Sequence, residues 1–407
     1  MTRASSTSTT ISVLAGALIA LGVVMVFSAA AGLNSPPLTQ NILKNPSFRQ
    51  ALFSIAGLIT LLAVGLCPYE SLRIRPGSWF QPAVILLIMV IGLCAAVLVV
   101  GEQRNGARRW LSLGSSSMGL GFQPSELAKL AVVVFFAARC ARLGERIRKF
   151  WFGLLPMILI LGVIAALVGK EDFGTAALLL AVGFCMLLGA GARLWHIGLL
   201  SLPALAGAAY LVIAEPYRVQ RVLSFLDPMA DPQGKGYHQI QSLITIASGG
   251  WWGRGLGAGI QKYGYLPEGR TDFIFAVICE ELGIVGGSLV IALFAILVWQ
   301  GRKAMIRADS EMGRLIALGA TLTIGLQAAM NIAVVTVSVP TKGIGLPLVS
   351  AGGTGVIFFS VLVGLLVNVA RHREPGIREQ GTENRAQGTG DLGTWGPGAI
   401  QVPAGAV

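Results

Sequence analysis

Apolar residues occur in long runs that short polar segments separate. Runs of about 17 to 25 residues are long enough to cross a hydrocarbon core as helices. They are predicted at 11–31, 50–67, 82–100, 124–139, 152–168, 174–191, 195–213, 274–299, 315–338 and 354–370. The pattern predicts an all-α, polytopic membrane protein of ten helices, with one large loop, 214–272, between the seventh and the eighth. The first run ends in a signal-like Ser28-Ala29-Ala30-Ala31, but its length favours a retained helix.

Composition supports lipid as the solvent for most side chains. The 407 residues are 54% hydrophobic and only 12% charged, whereas globular proteins are about 25% charged. The mean hydropathy is +0.72. These values exclude a soluble enzyme, a disordered scaffold and a fibrous protein.

The net charge of +12 is explained by orientation in a membrane. No basic arm or RNA-binding signature occurs, so no nucleic-acid partner is expected. With residues 1–10 as a cytoplasmic N-terminus, every inner loop holds Lys or Arg, and the positive-inside rule then predicts that both termini are cytoplasmic. Segment 373–407, rich in Gly, Pro and polar residues, is expected to be a disordered cytoplasmic tail. The isolated cysteines and scattered histidines predict no metal site.

Loop 214–272 is the first candidate for chemistry, because long loops are usually functional. Residues 238–248 predict a short helix lying against the membrane, and Gly253–Gly259 predict a flexible outer hinge. Asp272 stands directly before the eighth apolar run. Local sequence favours a simple helix cap at Thr271 or Asp272. The basic residues in the same loop favour a second interpretation, in which Asp272 abstracts a proton beside a bound polyanion.

Other polar groups are more ambiguous. Glu126 and Lys129 can pair on one helix face, either as an ion pair that stabilises the structure or as part of a polar cavity. The local sequence of residues 170–172 favours a solvated turn. The segment 340–354 is predicted to be a re-entrant or packed loop, with Lys342 facing the outer cavity. Two further pairs lie within apolar runs: Glu280 with Glu281, for which a structural or interfacial role is favoured over catalysis, and Gln327 with Asn331, which face together.

Several ordered motifs over about residues 11–372 resemble the SEDS family of shape, elongation, division and sporulation proteins (FtsW/RodA/SpoVE). The motifs are Gly106-Ala107-Arg108-Arg109-Trp110, Gln123-Pro124-Ser125-Glu126-Leu127-Ala128-Lys129, Asp172-Phe173-Gly174-Thr175-Ala176, Phe225-Leu226-Asp227-Pro228, Gln241-Ser242-Leu243, Tyr265-Leu266-Pro267-Glu268, Thr271-Asp272-Phe273-Ile274-Phe275-Ala276, Glu280-Glu281-Leu282-Gly283 and Pro340-Thr341-Lys342-Gly343. The segments Gly255-Leu256-Gly257, Gln261-Lys262 and 340–343 resemble the division branch more than the elongation branch.

This resemblance implies a peptidoglycan glycosyltransferase that polymerises lipid II at a bacterial division septum, in the cell membrane. It implies Asp272 as the catalytic residue, with a set of substrate-binding residues: Arg109, Glu126, Lys129, Asp172, Arg218, Arg221, Lys262, Glu268 and Lys342. A divalent cation, Mg or Mn, could assist at the pyrophosphate of the undecaprenyl-linked glycan. The implied protein partners are a class B penicillin-binding protein, which is a transpeptidase, and division-complex regulators.

Two other classes of function also fit ten helices. One is a lipid II flippase or related transporter, although transport sites usually lie near the midplane rather than in outer loops. The other is a non-catalytic scaffold for the transpeptidase. Polymerisation of lipid II by the purified protein in detergent separates them from the enzyme.

Overall fold

The computed structural model describes residues 2–30, 45–75, 81–104, 107–112, 121–213, 216–234, 236–260 and 264–372. Up to Arg371 the chain forms one compact unit. Its helices are α1 (Thr2–Ala30), α2 (Pro46–Leu66), α3 (Pro82–Val100), α4 (Pro124–Leu143), α5 (Leu155–Gly169), α6 (Phe173–Gly189), α7 (Leu194–Ile213), α8 (Pro216–Leu226), α9 (Tyr237–Gly249), α10 (Ile274–Ile306), α11 (Glu311–Val335) and α12 (Thr354–Arg371).

The structure confirms the all-α membrane fold. Each of the ten predicted runs is a helix, and the short helix predicted over 238–248 is α9. Within the described residues, seven helices are long and apolar enough to cross a membrane, counting α5 together with the preceding turn from Phe150, while α6 is apolar but shorter. α1 begins earlier than predicted, at Thr2, and its residues Ile11 and Leu18 are fully buried. The predicted tail, 373–407, lies outside the described residues.

Helix α4 lies in the middle of the bundle. It packs against α3, α6 and α11, and nearly every side chain from Pro124 to Ala138 is buried. A helix that is buried all round has protein rather than lipid on each side. Its polar residues near the N-terminus therefore face the protein interior.

A small antiparallel sheet joins α3 to α4 and was not predicted. Strands β1 (Glu102–Arg104), β2 (Ala107–Ser112) and β3 (Gly121–Phe122) are arranged in the order β1-β2-β3. The backbone N–H of Arg108 donates to the Glu171 carboxylate at 2.8 Å, in the turn between α5 and α6. The sheet thus fixes the basic residues of β2 against that turn.

Helix α10 is broken at Gly283, where φ is 71°. Residues from Gly249 to Gly255 lie against the break, and the amides of Arg254 and Gly255 donate to the carbonyls of Glu280 and Glu281 at 3.0 and 2.9 Å. The segment predicted to be a flexible hinge is therefore bound to α10 through its backbone.

Both carboxylates beside this break are buried and hydrogen-bonded. Glu281 accepts from the Ser28 hydroxyl of α1 at 2.6 Å, and Glu280 accepts from the Ile260 amide at 2.8 Å. These bonds join α1, α10 and the preceding loop. They support the structural interpretation of the two residues over the catalytic one.

Candidate active site

Asp272 ends a tight turn that leads into α10. Glu268 has a positive φ of 54°, and its carbonyl accepts from the amides of Thr271 and Phe273 at 3.1 and 3.2 Å. The helix begins at Ile274, and its N-cap residue, Phe273, makes no side-chain capping bond. The Thr271 hydroxyl instead donates to the Glu268 carboxylate at 2.8 Å. The interpretation of Thr271 or Asp272 as a simple helix cap is therefore wrong.

A side chain from α11 holds the backbone at Asp272. Asn331 is fully buried, and its Nδ2 donates to the carbonyls of Asp272 at 2.7 Å and Ile344 at 2.8 Å. Ser350 Oγ donates to the Thr271 carbonyl at 2.6 Å. These bonds join the Asp272 turn to the loop 340–353, in the segment 340–354 that was predicted to be a re-entrant or packed loop. A carboxylate on a doubly anchored backbone has little freedom to move.

Arg109 and Asp172 approach the same region from β2 and the start of α6. Arg109 Nε donates to the Glu171 carbonyl at 2.8 Å, and Arg109 Nη1 lies 4.0 Å from Asp172 Oδ2. Asp172 is only 4% exposed. Its carboxylate accepts from the amide and the hydroxyl of Thr175 at 3.0 and 2.8 Å, which caps α6. The prediction of a solvated turn at 170–172 is wrong for Asp172.

Further cations lie in or against the loop 340–353, next to Asp272. A methyl group at Gly343 would lie 3.1 Å from Asp272 Oδ2 and 3.4 Å from Arg109 Nη1, so both side chains converge on this glycine. Arg221 of α8 donates to the Thr341 carbonyl at 3.2 Å. The Lys342 ammonium lies 5.0 Å from the centre of the Phe173 ring. Asp272, Arg109, Arg221 and Lys342 therefore surround one small region.

Burial, and after it the negative charges of Glu268 and Asp172, raise the pKa of Asp272, while Arg109 and Arg221 lower it, and the net result is a pKa of about 7. A carboxyl with this pKa exchanges its proton near neutral pH, which suits a general base. Burial also lowers the pKa of Lys342, and Asp172 opposes that change.

Glu126 and Lys129 lie behind this region, inside the bundle. Lys129 is 2% exposed, and its ammonium donates to Glu126 Oε1 at 2.7 Å and to Gln327 Oε1 at 2.6 Å. Gln327 Nε2 in turn donates to the Gly345 carbonyl at 3.0 Å. Gln327 and Asn331 face together, as predicted, and both bind the backbone of the loop 340–353. The ion pair is thus linked to the support of Asp272.

Sequence reasoning did not single out His238 as a site residue. Its ring stacks on Phe273, with centroids 6.0 Å apart. Burial and the charge of Arg221 lower its pKa, against the opposite effect of Glu268. The charged form of the imidazole is therefore disfavoured relative to an ordinary histidine. Its position, 34 residues before Asp272 in sequence, gave no local signal, because the contact depends on the docking of α9.

Of the predicted site residues, Lys262 and the side chain of Arg218 lie outside the described residues. Within the described part of the chain, no group of three or more His, Cys, Asp or Glu side chains is arranged to hold a metal ion. The cation expected at the pyrophosphate stays a prediction.

Residues 8–375 match the FtsW/RodA/SpoVE family, described as cell cycle protein. The chain belongs to this family. The match agrees with the extent of the resemblance, 11–372, found from motifs.

Relatives and solved structures of the family are similar over most of the chain. A probable peptidoglycan glycosyltransferase FtsW of Alkalilimnicola ehrlichii is 40% identical over 87% of this chain and 86% of its own length. The stage V sporulation protein E of Bacillus subtilis is 36% identical over 87% and 94%. A structure described as a peptidoglycan synthase complex that coordinates polymerisation and crosslinking has a TM-score of 0.69, with 29% identity over 90% of this chain and 98% of that chain. Thermus thermophilus RodA has a TM-score of 0.62, with 26% identity over 89% and 96%.

Proposed function

We propose that the protein polymerises lipid II into glycan strands, with Asp272 as the general base. Membership in the FtsW/RodA/SpoVE family, and relatives named as peptidoglycan glycosyltransferases, identify it as a glycosyltransferase of peptidoglycan synthesis. The observation that carries the role of Asp272 is its setting: a carboxyl with a pKa of about 7 converges with Arg109 on Gly343 and has further cations around it.

In the proposed reaction, Asp272 accepts the proton of the acceptor sugar's 4-hydroxyl. That oxygen attacks the anomeric carbon of the donor glycan, the bond from this carbon to the diphosphate oxygen breaks, and undecaprenyl diphosphate leaves with the bonding electrons. Because a diphosphate is already a stable anion, no acid is needed to protonate it. One carboxylate therefore suffices, whereas glycoside hydrolysis normally uses two. Displacement of an α-linked donor gives a β-linked product.

Arg109, Arg221 and Lys342 are the described candidates to bind the diphosphate, together with Arg218 and Lys262 from the sequence. Guanidinium groups bind phosphate oxygens in pairs and stabilise developing negative charge. A divalent cation carried by the diphosphate would act in the same way. We assign Glu268 and Asp172 to tuning the charge on Asp272, and Glu126 and Lys129 to supporting the loop 340–353.

The decisive experiment measures glycan polymer from lipid II supplied to purified protein in detergent, where no translocation is required. Asp272→Asn should lower the rate by about a hundredfold or more, the usual value of a general base. Asp231→Asn removes an exposed carboxylate of the same loop and serves as the matched control. Full activity of Asp272→Asn would show that Asp272 is not the general base. Failure of the folded wild type to polymerise, with transport in vesicles retained, would favour a flippase.

We also propose a class B penicillin-binding protein as partner, division regulators as further partners, and a septal location with both termini cytoplasmic. The similarity to a peptidoglycan synthase complex supports the first, and the distribution of Lys and Arg supports the topology. Co-purification with the transpeptidase and reporter fusions at each terminus test these assignments.

A further inference from the structure

A basic cavity of about 560 Å³ lies at the end of the bundle opposite to Asp272. α4 begins beside the site, at Pro124, and its 20 residues extend about 30 Å to the other end. The cavity forms where the chain turns from α4 into α5 and enters α7. Its polar lining consists of Glu145, Arg146, Arg148, Lys149, Arg193 and His196.

The charges of this cavity are unbalanced. Arg146, Arg148, Lys149 and Arg193 are exposed, and Glu145 is the single carboxylate in the lining. In the described residues, no salt bridge joins any of these cations to a carboxylate. Like charges repel one another, so an arrangement that gathers cations from two separate segments around one cavity favours an added anion.

The walls of the cavity are fixed by packing. Ile147, between Arg146 and Arg148, is 1% exposed, and Ile197, directly after His196, is 8% exposed, so each basic segment is anchored in the core. Gly153 lies so close to the Arg146 carbonyl that a larger residue would collide with it. The His196 ring packs edge-on against Phe150, 5.4 Å between centroids, and its buried Nδ1 has no hydrogen-bond partner in the described chain. The cations are therefore attached to well-packed backbone segments. His196 Nδ1 is a further polar atom in the lining without a hydrogen-bond partner in the described chain.

Exposed aromatic residues adjoin the lining residues Phe150 and His196 in sequence. Trp151, Phe152 and Trp195 are 70%, 83% and 78% exposed. Trp residues concentrate where the hydrocarbon core meets the headgroups. Cations at that depth meet lipid phosphates directly, and basic pockets between helices are known to bind anionic headgroups.

We propose that this cavity binds the headgroup of an anionic phospholipid, with Arg146 and Arg193 contacting the phosphate from opposite sides. The site is separate from the glycosyl-transfer centre and is independent of Asp272. By the predicted topology it would face the inner leaflet.

Native mass spectrometry of the detergent-purified chain, with dioleoylphosphatidylglycerol or dioleoylphosphatidylcholine added, tests the proposal. Wild-type protein and Asp272→Asn should both retain phosphatidylglycerol in preference to phosphatidylcholine. Arg146→Gln/Arg193→Gln should weaken phosphatidylglycerol binding by about tenfold or more. The control Arg73→Gln/Arg302→Gln removes two exposed cations outside the cavity and should stay within about twofold of wild type.

Three results would overturn the proposal: no preference for phosphatidylglycerol in the wild type, equal losses in both double variants, or displacement of the lipid by equimolar inorganic phosphate. The last would assign the cavity to a free anion. Arg146→Lys/Arg193→Lys keeps both charges and should retain most of the phosphatidylglycerol binding. This variant controls for a loss of binding caused by misfolding. Retention in this variant together with loss in the Gln variant supports the proposal.

Discussion

At Asp272 the fold keeps a carboxyl where ionisation is disfavoured, yet surrounds it with arginines. Burial and the neighbouring carboxylates of Glu268 and Asp172 act against the charged form, while Arg109 and Arg221 act in its favour. With these opposing effects, the Asp272 carboxyl gains and loses its proton near neutral pH. A diphosphate bound to the same arginines would reduce their effect on Asp272 and raise its proton affinity just when an acceptor hydroxyl must lose a proton.

The pH dependence of kcat/KM follows from this balance. The base form is the carboxylate, which exists above the pKa, so activity should rise with pH through about 7. Glu268→Gln removes a charge that raises this pKa, so the acidic limb should move to lower pH. Arg221→Gln removes a charge that lowers it, so the limb should move to higher pH. Polymerisation rates at subsaturating lipid II across pH 5 to 9, roughly the range around a pKa near 7, measure both shifts. Movement of both variants in one direction would contradict the electrostatic assignment.

Asn331 should act as a positioning residue. Asn331→Leu keeps the volume but leaves the carbonyls of Asp272 and Ile344 without their donor. A displacement of about 1 Å at a reacting group costs up to about a hundredfold in rate. We expect kcat to fall by about ten- to a hundredfold, with KM changed much less.

Thr323→Val is the matched control for Asn331→Leu, because Thr323 is equally buried on α11 but bonds only the Gly319 carbonyl of its own helix. Its kcat should stay near wild type. Equal reductions in both variants, with equally lowered melting temperatures, would assign Asn331 to stability alone.

At Asp272 the local sequence predicted a geometry that the structure does not show, and the role of general base stays a proposal. The local pattern, a polar residue before an apolar run, favoured a helix cap, and only the shared cations of the loop favoured a base. The pairing of Arg109 with Asp172 and the contact of His238 with Phe273 depend on the docking of distant elements. No spacing along the chain encodes such contacts.

At the scale of elements, apolar run length predicted every long helix, because lipid allows few alternatives for a buried backbone. The strands of the 102–122 region could not be predicted in this way. They are short, and the backbone of β2 is held by the Glu171 carboxylate, a partner far away in sequence. α8 was also missed, since it is amphipathic and too short to be an apolar run.

The break in α10 gives a test at this scale. Gly283 has φ of 71°, and a methyl group there would collide with the Trp251 carbonyl and the Gly253 amide. Gly283→Ala should therefore destabilise the protein by about 1–3 kcal/mol from the backbone conformation alone, with more from the collision. Gly92→Ala in α3 is the control, since its added methyl meets nothing within 4 Å. Thermal unfolding in detergent should show a lower midpoint for Gly283→Ala only. Equal midpoints would mean that the break does not require glycine.

At the scale of the whole molecule, the site lies at one end of the bundle and is assembled from five regions of the chain: β2, the start of α6, α8, the turn before α10 and the loop 340–353. In the proposed reaction, the donor and acceptor saccharides meet at this end of the bundle. The proposed phospholipid cavity lies at the other end, where α4, α5 and α7 meet. Both regions belong to the compact unit that ends at Arg371.

Removal of 373–407 should leave this unit intact, because every described site residue precedes Arg371 and the family match ends at 375. We expect the truncated protein to polymerise lipid II and to unfold at the same temperature as the full chain. A deletion that begins at Ser360 is the contrasting variant. It removes Asn368, whose buried amide donates to the carbonyls of Val64, Gly65 and Cys67 at the end of α2. That protein should fail to fold. If the shorter truncation loses activity while its melting temperature is unchanged, the tail itself contributes to the reaction.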